Sequence, residues 1–555
     1  MKRRDFLRAG AASGIGAIIP TACAPAGPQG STDATTATGG RWQRDLALVN
    51  ARLVTLEPDQ PEAQAVLVRS GRIALVGSND EVRSAADNAP VFDAAGRGVV
   101  PGFVDAHVHF EMACNAKAYH VACHTPPFTS LRQIKDALAA KAAESPAGRW
   151  IIGRGGFAMA DRVEEGRLPL RQELDAVTED HPLILYAGFH VAMVNTRGLE
   201  ELDLWANDDN VPRGAMVHRD ASGVPTGIAT EIWTMPPPHT VDEVEASIRA
   251  HAMELFVSKG ITSIHTLPLA GTDLRADQAV QATGELPIRF RAYYHVPHLF
   301  SQDDFLAMGL ESGFGTDMFR FGGIKIFVDG AGSDGLGRRF TDFKWTQDEL
   351  DEFVFRAHAA GVQLMMHVVT DDGHQAAEAA VEAALARDPT PMRHRLEHGG
   401  DVEDLDRIQR LATLGLIPVI TPQQQRATEV RAEPRRVPRY RTLVEENVRP
   451  VAVSDATGTV PVFSPLGAIA SLMTSPEAGG GTPPGEELSF ENALRMHTIW
   501  AARSGFEEQD KGSIAVGKLG DFAVLSTDPT SLRGEELFDV SVDATIVGGE
   551  VVFER

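Results

Sequence analysis

Short apolar runs alternate with longer amphipathic segments through the middle of the chain. The runs are rich in branched and aromatic residues, and this alternation is typical of parallel βα units. The eight runs that we predict as strands are 99–109, 261–265, 288–294, 323–328, 362–367, 393–398, 416–420 and 451–455. Eight parallel strands close a (β/α)8 barrel, so the pattern predicts a TIM barrel.

The segments between these runs have helical spacing. Segment 241–259 has apolar residues at 241, 244, 248, 255 and 256, and Gly260 follows it as a C-terminal cap. Segments 347–360 and 375–387 have the same pattern. The sequence therefore predicts helices between the barrel strands.

The two ends of the chain consist of short β-type runs broken by Gly, Asn and Asp. We predict one β-sandwich domain assembled from residues 42–98 and 505–555, with the barrel at 99–504. The first two barrel strands are separated by more sequence than one helix needs, and this interval contains strand-like runs of its own. We therefore predict an inserted subdomain at about 115–240, over the barrel mouth.

The first residues form a separate signal. Lys2-Arg3-Arg4-Asp5-Phe6-Leu7-Arg8 resembles a twin-arginine export motif, although a basic start to a first helix is the alternative. We expect residues 1–24 to be a twin-arginine signal peptide and residues 25–41 to be a disordered linker. Cys23 is a candidate lipidation site, and ordinary small-residue cleavage is an equal alternative because Pro20 replaces the usual aliphatic residue. The expected location is the periplasm, as a soluble protein or as a membrane-anchored lipoprotein.

Composition limits the partners. The 555 residues carry a formal net charge of −24 at pH 7, and no basic run occurs beyond the N-terminus. Nucleic acid is therefore excluded, since phosphate binding needs clustered Lys and Arg. We expect a small-molecule substrate, the twin-arginine export machinery and a second copy in a homodimer as partners. Cys114 and Cys123 are either a disulfide or two packed free thiols.

His107 and His109 close the first predicted strand, in Pro101-Gly-Phe-Val-Asp-Ala-His-Val-His. Residues two apart on a strand leave the same face, so both imidazoles can reach one ion at about 2.0–2.1 Å, the usual Zn–N distance. Asp105 shares this face. A pair of core histidines is the alternative, but the position at a strand end favours metal ligation.

Four further polar residues lie in later strands or at their ends: Lys325, His367, His398 and Asp455. A buried lysine is costly unless its charge is compensated. Lys325 is either salt-bridged or a neutral amine that takes up carbon dioxide and bridges two cations as a carbamate. His367 and His398 are candidate ligands of a second ion. Asp455 is a candidate metal ligand and the candidate catalytic proton acceptor.

These residues resemble the amidohydrolase superfamily, most closely its third subgroup, which includes N-substituted formamide deformylases and YtcJ-like proteins. The other shared motifs are Gly188-Phe-His-Val-Ala-Met-Val-Asn-Thr, Asp220-Ala-Ser-Gly-Val-Pro-Thr-Gly, Lys325-Ile-Phe-Val-Asp-Gly, Arg395-Leu-Glu-His and Lys511-Gly-Ser-Ile-Ala-Val-Gly-Lys-Leu-Gly-Asp. The resemblance implies a distorted (β/α)8 barrel, a β-sandwich built from both ends and a divalent metal centre, most often zinc. Its implied ligands are His107, His109 and Asp455 for one ion, His367 and His398 for the other, and carboxylated Lys325 as the bridge.

His190 resembles a position of this subgroup on the inserted subdomain and is a second catalytic candidate, able to polarise the scissile carbonyl. A surface histidine is the alternative. Asn195, His265 and His295 are weaker candidates, since a buried polar contact explains each. The chain departs from the family pattern after Gly330, after Thr421 and after Asp455. These loops lie at the barrel mouth, where substrate is bound, so the substrate stays open.

The sequence therefore predicts hydrolysis of a C–N bond in a non-peptide amide, formamide or cyclic amide by a metal-bound hydroxide. A metal-dependent lactone or ester hydrolase on the same centre is the second hypothesis. A metal-free binding lipoprotein is the third, and the presence of all six candidate ligands argues against it.

Overall fold

The computed structural model describes residues 42–157, 159–206, 211–330, 345–422, 438–456 and 463–555. The predicted signal peptide, the linker and Cys23 lie outside these residues, as do 331–344 and 423–437 in two of the divergent loops. Within the described ranges, no helix is both long and apolar enough to cross a membrane.

Seven strands and one helix precede the barrel. They are β1 (Leu46–Val49), β2 (Arg52–Val54), β3 (Glu62–Ala63), β4 (Ala65–Arg69), β5 (Arg72–Gly77), α1 (Asn79–Ala85), β6 (Val91–Asp93) and β7 (Gly98–Pro101). A four-stranded sheet has the order β5-β4-β1-β6, while β2, β3 and β7 belong to a second sheet.

The first barrel strand, β8 (Phe103–Val108), and its helix α2 (Phe110–Tyr119) lead into the insertion. The insertion consists of β9 (Val121–Ala122), α3 (Leu131–Glu144), β10 (Ile151–Gly155), α4 (Met159–Arg162), α5 (Arg171–Asp175), β11 (Leu183–Ala187), β12 (Val191–Val194), α6 (Thr196–Glu201), β13 (Met216–Arg219) and β14 (Pro225–Thr230). Its six strands form one sheet in the order β13-β14-β12-β11-β10-β9, packed on an apolar core of its own. The predicted subdomain after the first barrel strand is confirmed.

The barrel continues after the insertion with seven more strands. Its elements are α7 (Val241–Leu255), β15 (Ile261–Thr266), α8 (Gly271–Thr283), β16 (Arg289–His295), α9 (Gln302–Leu306), β17 (Phe319–Phe327), α10 (Gln347–Ala359), β18 (Gln363–His367), α11 (Asp371–Arg387), β19 (Arg395–Glu397), α12 (Leu405–Leu414), β20 (Ile417–Ile420), α13 (Tyr440–Glu445) and β21 (Val451–Ala452). The strands pair in chain order from β8 to β21, all in parallel. The backbone N–H of Asp455 donates to the carbonyl of His107 at 3.0 Å, which nearly closes the ring. The predicted barrel is confirmed.

Among the elements whose limits differ from the prediction, two show the physical reason directly. The run predicted as one strand, 99–109, is divided at Gly102 because its hydrogen-bond partners change there. β7 pairs with the second sandwich sheet, whereas the N–H of Phe103 donates to Gly260 beside the barrel. Helix α7 ends at Leu255 and is followed by a 3₁₀ turn, Val257–Lys259, before Gly260 with φ +78°. The apolar pattern of each predicted segment continues across these points, so the sequence pattern predicts neither the division at Gly102 nor the end of α7 at Leu255.

The chain ends with α14 (Pro465–Leu472), α15 (Phe490–Met496), α16 (Ile499–Ser504), β22 (Phe522–Leu525), β23 (Val542–Val547) and β24 (Glu550–Glu554), with 3₁₀ turns at Pro476–Ala478 and Gly534–Asp539. The second sandwich sheet has the order β24-β23-β22-β7-β2-β3, so it combines both ends of the chain. Leu48 and Val68 from one sheet and Phe522 and Ile546 from the other belong to one apolar cluster. The predicted sandwich is confirmed, and its exact domain limits stay predictions.

Candidate metal centre

The six candidate residues lie at the carboxyl ends of barrel strands. His107 is near the end of β8, His109 caps α2, Lys325 is in β17 and His367 ends β18, while His398 and Asp455 directly follow β19 and β21. Because the strands are parallel, these ends meet at one face, the mouth of the barrel. We use the name mouth for His107, His109, Lys325, His367, His398 and Asp455.

The side chains of the mouth lie close together. The ring centroid of His107 lies 5.7 Å from that of His109 and 5.2 Å from that of His398. The ring centroids of His398 and His367 are 4.8 Å apart. Oδ1 of Asp455 lies 3.6 Å from Nε2 of His107 and 3.8 Å from Nε2 of His109. One ligand atom each from His107, His398 and Asp455 lie within 4.8 Å of one another. This arrangement can hold a metal ion.

Two residues of the mouth have unusual backbone conformations. His398 has φ +62° and Asp455 has φ +48°, in the left-handed region that side chains other than glycine rarely adopt. Such conformations are retained where the surrounding structure enforces them, and they cluster at functional sites. The bends turn both side chains at the point where their strands end.

Burial keeps three imidazoles of the mouth neutral, those of His107, His109 and His398. It lowers the pKa of His109 to about 3 and those of His107 and His398 well below their usual range, and the charge of Lys325 lowers each further. Neutral imidazole is the form that binds a metal. The mouth therefore presents unprotonated nitrogen donors at neutral pH.

Lys325 is almost completely buried, with 1% of its surface exposed. Burial lowers the pKa of its ammonium to about 8, against the opposing effect of the carboxylates of Glu397 and Asp455. Its Nζ lies 5.2 Å from the ring centroid of Phe327. A substantial fraction of this amine is therefore neutral slightly above pH 7.

Glu397 and Arg395 belong to the same arrangement, although the sequence reasoning assigned neither a role. Nδ1 of His107 is 2.5 Å from Glu397, and Arg395 binds the same carboxylate through two nitrogens at 2.7 and 3.0 Å. A carboxylate at Nδ1 fixes the tautomer that presents the Nε2 lone pair toward Asp455. The sequence could have indicated this pair. Residues 395 and 397 are two apart on β19, so their side chains lie on the same face of the strand, toward the barrel interior.

The insertion contributes His190 to the mouth. The ring centroid of His190 is 4.7 Å from that of His367, and Nδ1 of His190 is 2.9 Å from Glu231, a residue that the sequence reasoning missed. Gly188 directs this segment with φ +77°, and a Cβ there would lie 2.2 Å from the ring of Phe157. The Gly188-Phe-His motif thus places one imidazole from the insertion beside the candidate ligands of the barrel.

The weaker candidates have different surroundings. Asn195 caps helix α6 by accepting from the N–H of Gly198 at 2.8 Å. His265 lies below the mouth, with Nδ1 3.0 Å from Arg395. His295 stacks 6.2 Å from His109, and neither of its ring nitrogens has a hydrogen-bond partner among the described residues. Of the three, His295 belongs to the surroundings of the mouth.

Asp105, from the same motif as His107, has a supporting position. One carboxylate oxygen accepts from the N–H of Ser454 at 3.0 Å and the other from the Ser454 hydroxyl. This double contact fixes the residue before Asp455. Burial raises the pKa of Asp105 to about 6.

The two described cysteines, Cys114 in α2 and Cys123 directly after β9, are not joined. Cys114 and Cys123 are both free and buried. Of the two alternatives that the sequence left open, packed thiols are the one that the structure has.

Comparisons with known proteins give the family. The amidohydrolase family pattern matches residues 90–553. An N-substituted formamide deformylase of Arthrobacter pascens is 29% identical over 92% of this chain and 99% of its own length. The putative amidohydrolase YtcJ of Bacillus subtilis is 25% identical over 91% of this chain and 98% of its own. An uncharacterized metal-dependent hydrolase from Pyrococcus furiosus has a similar crystal structure, with a TM-score of 0.64 and 22% identity over 88% of this chain and 100% of its own. The chain belongs to the amidohydrolase family and is a hydrolase of carbon–nitrogen bonds other than peptide bonds.

Proposed function

We propose that this protein uses a divalent metal to hydrolyse the C–N bond of a non-peptide amide, formamide or cyclic amide. The observation that carries the proposal is the convergence of His107, His398 and Asp455, whose ligand atoms lie within 4.8 Å of one another at the barrel mouth. The similarity to a formamide deformylase over nearly the whole chain supports the bond type.

The residues of the mouth fit a metal ion. Two ligands that share a tetrahedral ion at about 2.0–2.1 Å are themselves separated by roughly 3.4 Å. The 3.6 and 3.8 Å between Asp455 and the two imidazoles are near this value and exceed a hydrogen bond. Imidazole and carboxylate donors suit zinc. A bound metal supplies Lewis acidity, which polarises a carbonyl group and makes water more acidic.

We further propose two ions, held by His107, His109 and Asp455 and by His367 and His398, with carboxylated Lys325 between them. A buried ammonium among metal ligands would repel cations. Its lowered pKa supports reaction of the neutral amine with carbon dioxide, which releases one proton and leaves an anionic carbamate. The charge at this position then changes from positive to negative.

Asp455 would move the proton in the reaction. The oxygen of water forms a bond to the carbonyl carbon, Asp455 accepts the proton that the water loses, and the C–N bond breaks as Asp455 returns that proton to the amine nitrogen. The backbone hydrogen bond from Asp455 to His107 holds the carboxylate against the two imidazoles during both transfers.

His190 would act on the carbonyl oxygen. Glu231, 2.9 Å from Nδ1, orients the ring, and an Nε2–H group would donate to the developing negative charge on that oxygen. Because this histidine comes from the insertion, the active site would be completed by both subdomains.

The test is elemental analysis combined with an assay panel. We expect one to two zinc or other divalent ions per chain, hydrolysis of simple formamides or cyclic amides, loss of activity with a chelator and recovery on adding the metal back. His107→Asn should abolish metal binding, whereas His181→Asn should not, because His181 is buried outside the mouth against the carbonyl of Arg149. A metal-free protein that hydrolyses no amide would overturn the proposal, and turnover of lactones alone would favour the ester-hydrolase alternative.

We also propose export by the twin-arginine route, on the basis of the Lys2–Arg8 motif. Replacing Arg3 and Arg4 together by lysine should retain the protein in the cytoplasm of a host with that route. Labelling with a lipid precursor, compared between Cys23 and Cys23→Ser chains, distinguishes the lipoprotein from the soluble form. Unchanged export of the double variant would contradict this assignment.

A further inference from the structure

A cavity of about 290 Å³ lies between the insertion, the end of α2 and the segment before α7. Its lining includes His120 at the end of α2, Lys141 in α3, Trp150 and Ile152 at β10, and His239 before α7. We use the name side cavity for the space between these five residues. Its volume is close to the lower limit of small-molecule pockets, about 300 Å³, so a small ligand fits.

The side cavity is separate from the mouth. His109 is the N-cap of α2 and His120 is its C-cap. The ten helical residues between them span about 15 Å. A small ligand in the side cavity therefore does not contact the candidate metal ligands.

Two neutral histidines belong to the lining of the side cavity. Nε of Arg154 donates to Nδ1 of His120 at 3.4 Å, so the hydrogen of this neutral ring is on Nε2. Nε2 of His120 lies 3.1 Å from Nε2 of His239, which accepts from it. Burial lowers the pKa of both rings, and that of His120 lies well below its usual range. The positive charge on this side of the cavity therefore comes from Arg154, which lies behind His120.

Arg154 is a half-buried cation without a counter-charge. Its guanidinium carbon lies 4.2 Å from the ring centroid of Tyr186, and burial lowers its pKa. In the described ranges, no carboxylate lies within ion-pair distance of Arg154. The buried Arg289 differs, because Asp521 binds it at 2.7 Å. A cation that loses water without gaining a partner is costly, and an anion near Arg154 would supply the missing charge.

Lys141 is a second cation beside His120. It lies in the last turn of α3, is half-buried and has no carboxylate within ion-pair distance in the part of the chain that the structure describes. Lys135 on the same helix differs, since it lies 3.6 Å from Glu173. The charges of Arg154 and Lys141 both lower the pKa of His120. His120 therefore lies near two cations that the described residues leave unpaired.

Two further charged residues line the side cavity, and neither offsets these cations. Arg149 is paired with Glu243 at 2.6 Å. Glu144 is exposed and, like every other described carboxylate, lies outside ion-pair distance of Lys141. The counter-charge for Lys141 and Arg154 must therefore come from a ligand or from solvent.

The remaining lining indicates the class of anion. Tyr119, Trp150 and Ile152 give the side cavity an organic wall. Phosphate is strongly hydrated and would lose that hydration against these side chains. An organic carboxylate offers an apolar part for the wall and two oxygens that pair with an ammonium or a guanidinium. The lining therefore favours a small organic carboxylate.

We propose that the side cavity is a second binding site of this protein and that it binds a small organic carboxylate. Lys141 pairs with the carboxylate directly, and Arg154 offsets its charge from behind His120. The apolar part of the ligand packs against Tyr119 and Trp150. This site is distinct from the mouth, and its occupancy does not depend on the proposed amide hydrolysis.

The experiment is titration calorimetry on the metal-loaded, full-length protein. The probes are hexanoate and benzoate, each compared with its neutral alcohol, 1-hexanol or benzyl alcohol, and inorganic phosphate is the third anion. We expect one carboxylate per chain with a Kd on the order of 1 mM or below, and about tenfold or weaker binding of the alcohols and of phosphate. Absence of carboxylate binding, equal affinity for acids and alcohols, or tighter binding of phosphate would overturn the inference.

A carboxylate could also bind a metal ion at the mouth, so the titration is repeated on His107→Asn. This variant should lack the metal of the mouth and keep the side cavity intact. We expect the same Kd for hexanoate and benzoate as in the wild-type protein. Loss of binding in His107→Asn would locate the carboxylate at the mouth and would overturn the inference.

Two variants locate the ligand in the side cavity. Lys141→Gln and Arg154→Gln should each weaken carboxylate binding about tenfold, because each removes one cation. Lys135→Gln is the matched control from the same helix, since Lys135 lies near Glu173 and does not line the side cavity. Lys141 is on a surface helix, so its variant tests the site even if Arg154→Gln does not fold. An unchanged Kd in Lys141→Gln, or the same loss in Lys135→Gln, would contradict the assignment.

Discussion

The barrel buries polar side chains at both of its ends, and the two ends differ in how these groups are paired. At the amino ends of the strands, cations meet anions: Arg289 binds Asp521 through two nitrogens at 2.7 and 2.8 Å, and Lys511 lies 3.1 Å from Glu507. Arg320 adds a 3.5 Å contact to Glu507. We call these five residues the base network.

The mouth has a different chemistry at the opposite ends of the same strands. Burial lowers the pKa values of His107, His109 and His398. The carboxylate of Asp455 lies 3.6 Å from Nε2 of His107 and 3.8 Å from Nε2 of His109, beyond a hydrogen bond. The cations of the base network are thus paired with carboxylates of the protein, whereas the mouth is arranged around a point that a ligand can occupy. In TIM barrels the base serves stability and the mouth serves function, and we expect the same division in this chain.

The comparison also gives a role to the last family motif. Lys511 and Asp521 are the two ends of Lys511-Gly-Ser-Ile-Ala-Val-Gly-Lys-Leu-Gly-Asp, and both belong to the base network. This motif therefore joins the sandwich to the base of the barrel. It is a signature of the fold and is remote from the chemistry.

The largest expected effect is that of Asp455→Asn in the mouth. The amide cannot accept the proton of the attacking water, so turnover should fall by about 10²- to 10⁴-fold. The amide oxygen of Asn can still serve as a weaker, neutral ligand, so metal content should change little when the metal is supplied in excess. Steady-state kinetics with elemental analysis measures both, and full activity in this variant would reject the catalytic role of Asp455.

Asp521→Asn in the base network should give the converse result. It leaves the guanidinium of Arg289 buried without its counter-charge, which typically costs about 3 kcal/mol or more of stability. Turnover per folded molecule should be retained. Asp543→Asn is the control from the same domain, because its carboxylate is 23% exposed and pairs with Arg97 at 3.3 Å. If Asp521→Asn lost turnover with unchanged stability, the division between base and mouth would be wrong.

Glu397→Gln tests the junction between the two ends, since Glu397 connects His107 to Arg395. The neutral amide of Gln does not offset the positive charge of Arg395, and it holds the tautomer of His107 less strongly than the carboxylate does. Losses of such supporting carboxylates typically cost about 10- to 100-fold in metal affinity or activity. Competition with a chelating dye measures this affinity. The control is Glu378→Gln. Glu378 is buried on α11 and pairs with Arg410 of α12, so this substitution should leave the metal affinity unchanged.

The fold was predictable because its evidence is periodic and local. Eight apolar runs with intervening helical patterns define the barrel, and His107, His367 and His398 are visible at the ends of such runs. Glu397 and Glu231 were missed because their roles depend on partners 290 and 41 residues away, which no local pattern reports. The contacts of Phe189 and Trp233 with Phe327 were missed for the same reason, since the insertion brings them to the end of β17. The ligand roles of the mouth residues themselves stay predictions.

The smallest expected effect concerns three buried acids behind the mouth, Glu111 in α2 and Asp273 and Asp277 in α8. Burial, and then the proximity of Glu111, raises the pKa of Asp273 to about 7 and that of Asp277 well above its usual range. The folded protein therefore keeps protons that the unfolded chain loses above about pH 4, so stability should fall as the pH rises from 4 through 7. Unlike the base network, the group has no described cation to offset its charge.

Asp277→Asn should remove part of this loss. The variant has no charge to bury at position 277, and its amide can donate to Glu111, so we expect a gain of about 1 kcal/mol at pH 8 and little change at pH 5. Urea midpoints at the two pH values measure the difference, with Asp303→Asn, an 80% exposed carboxylate, as the control. Equal gains at both pH values would mean that the acids are not protonated in the folded state. The contrast between the base network, whose charges are paired, and the acids behind the mouth, which have no described cation beside them, would then not apply to Glu111, Asp273 and Asp277.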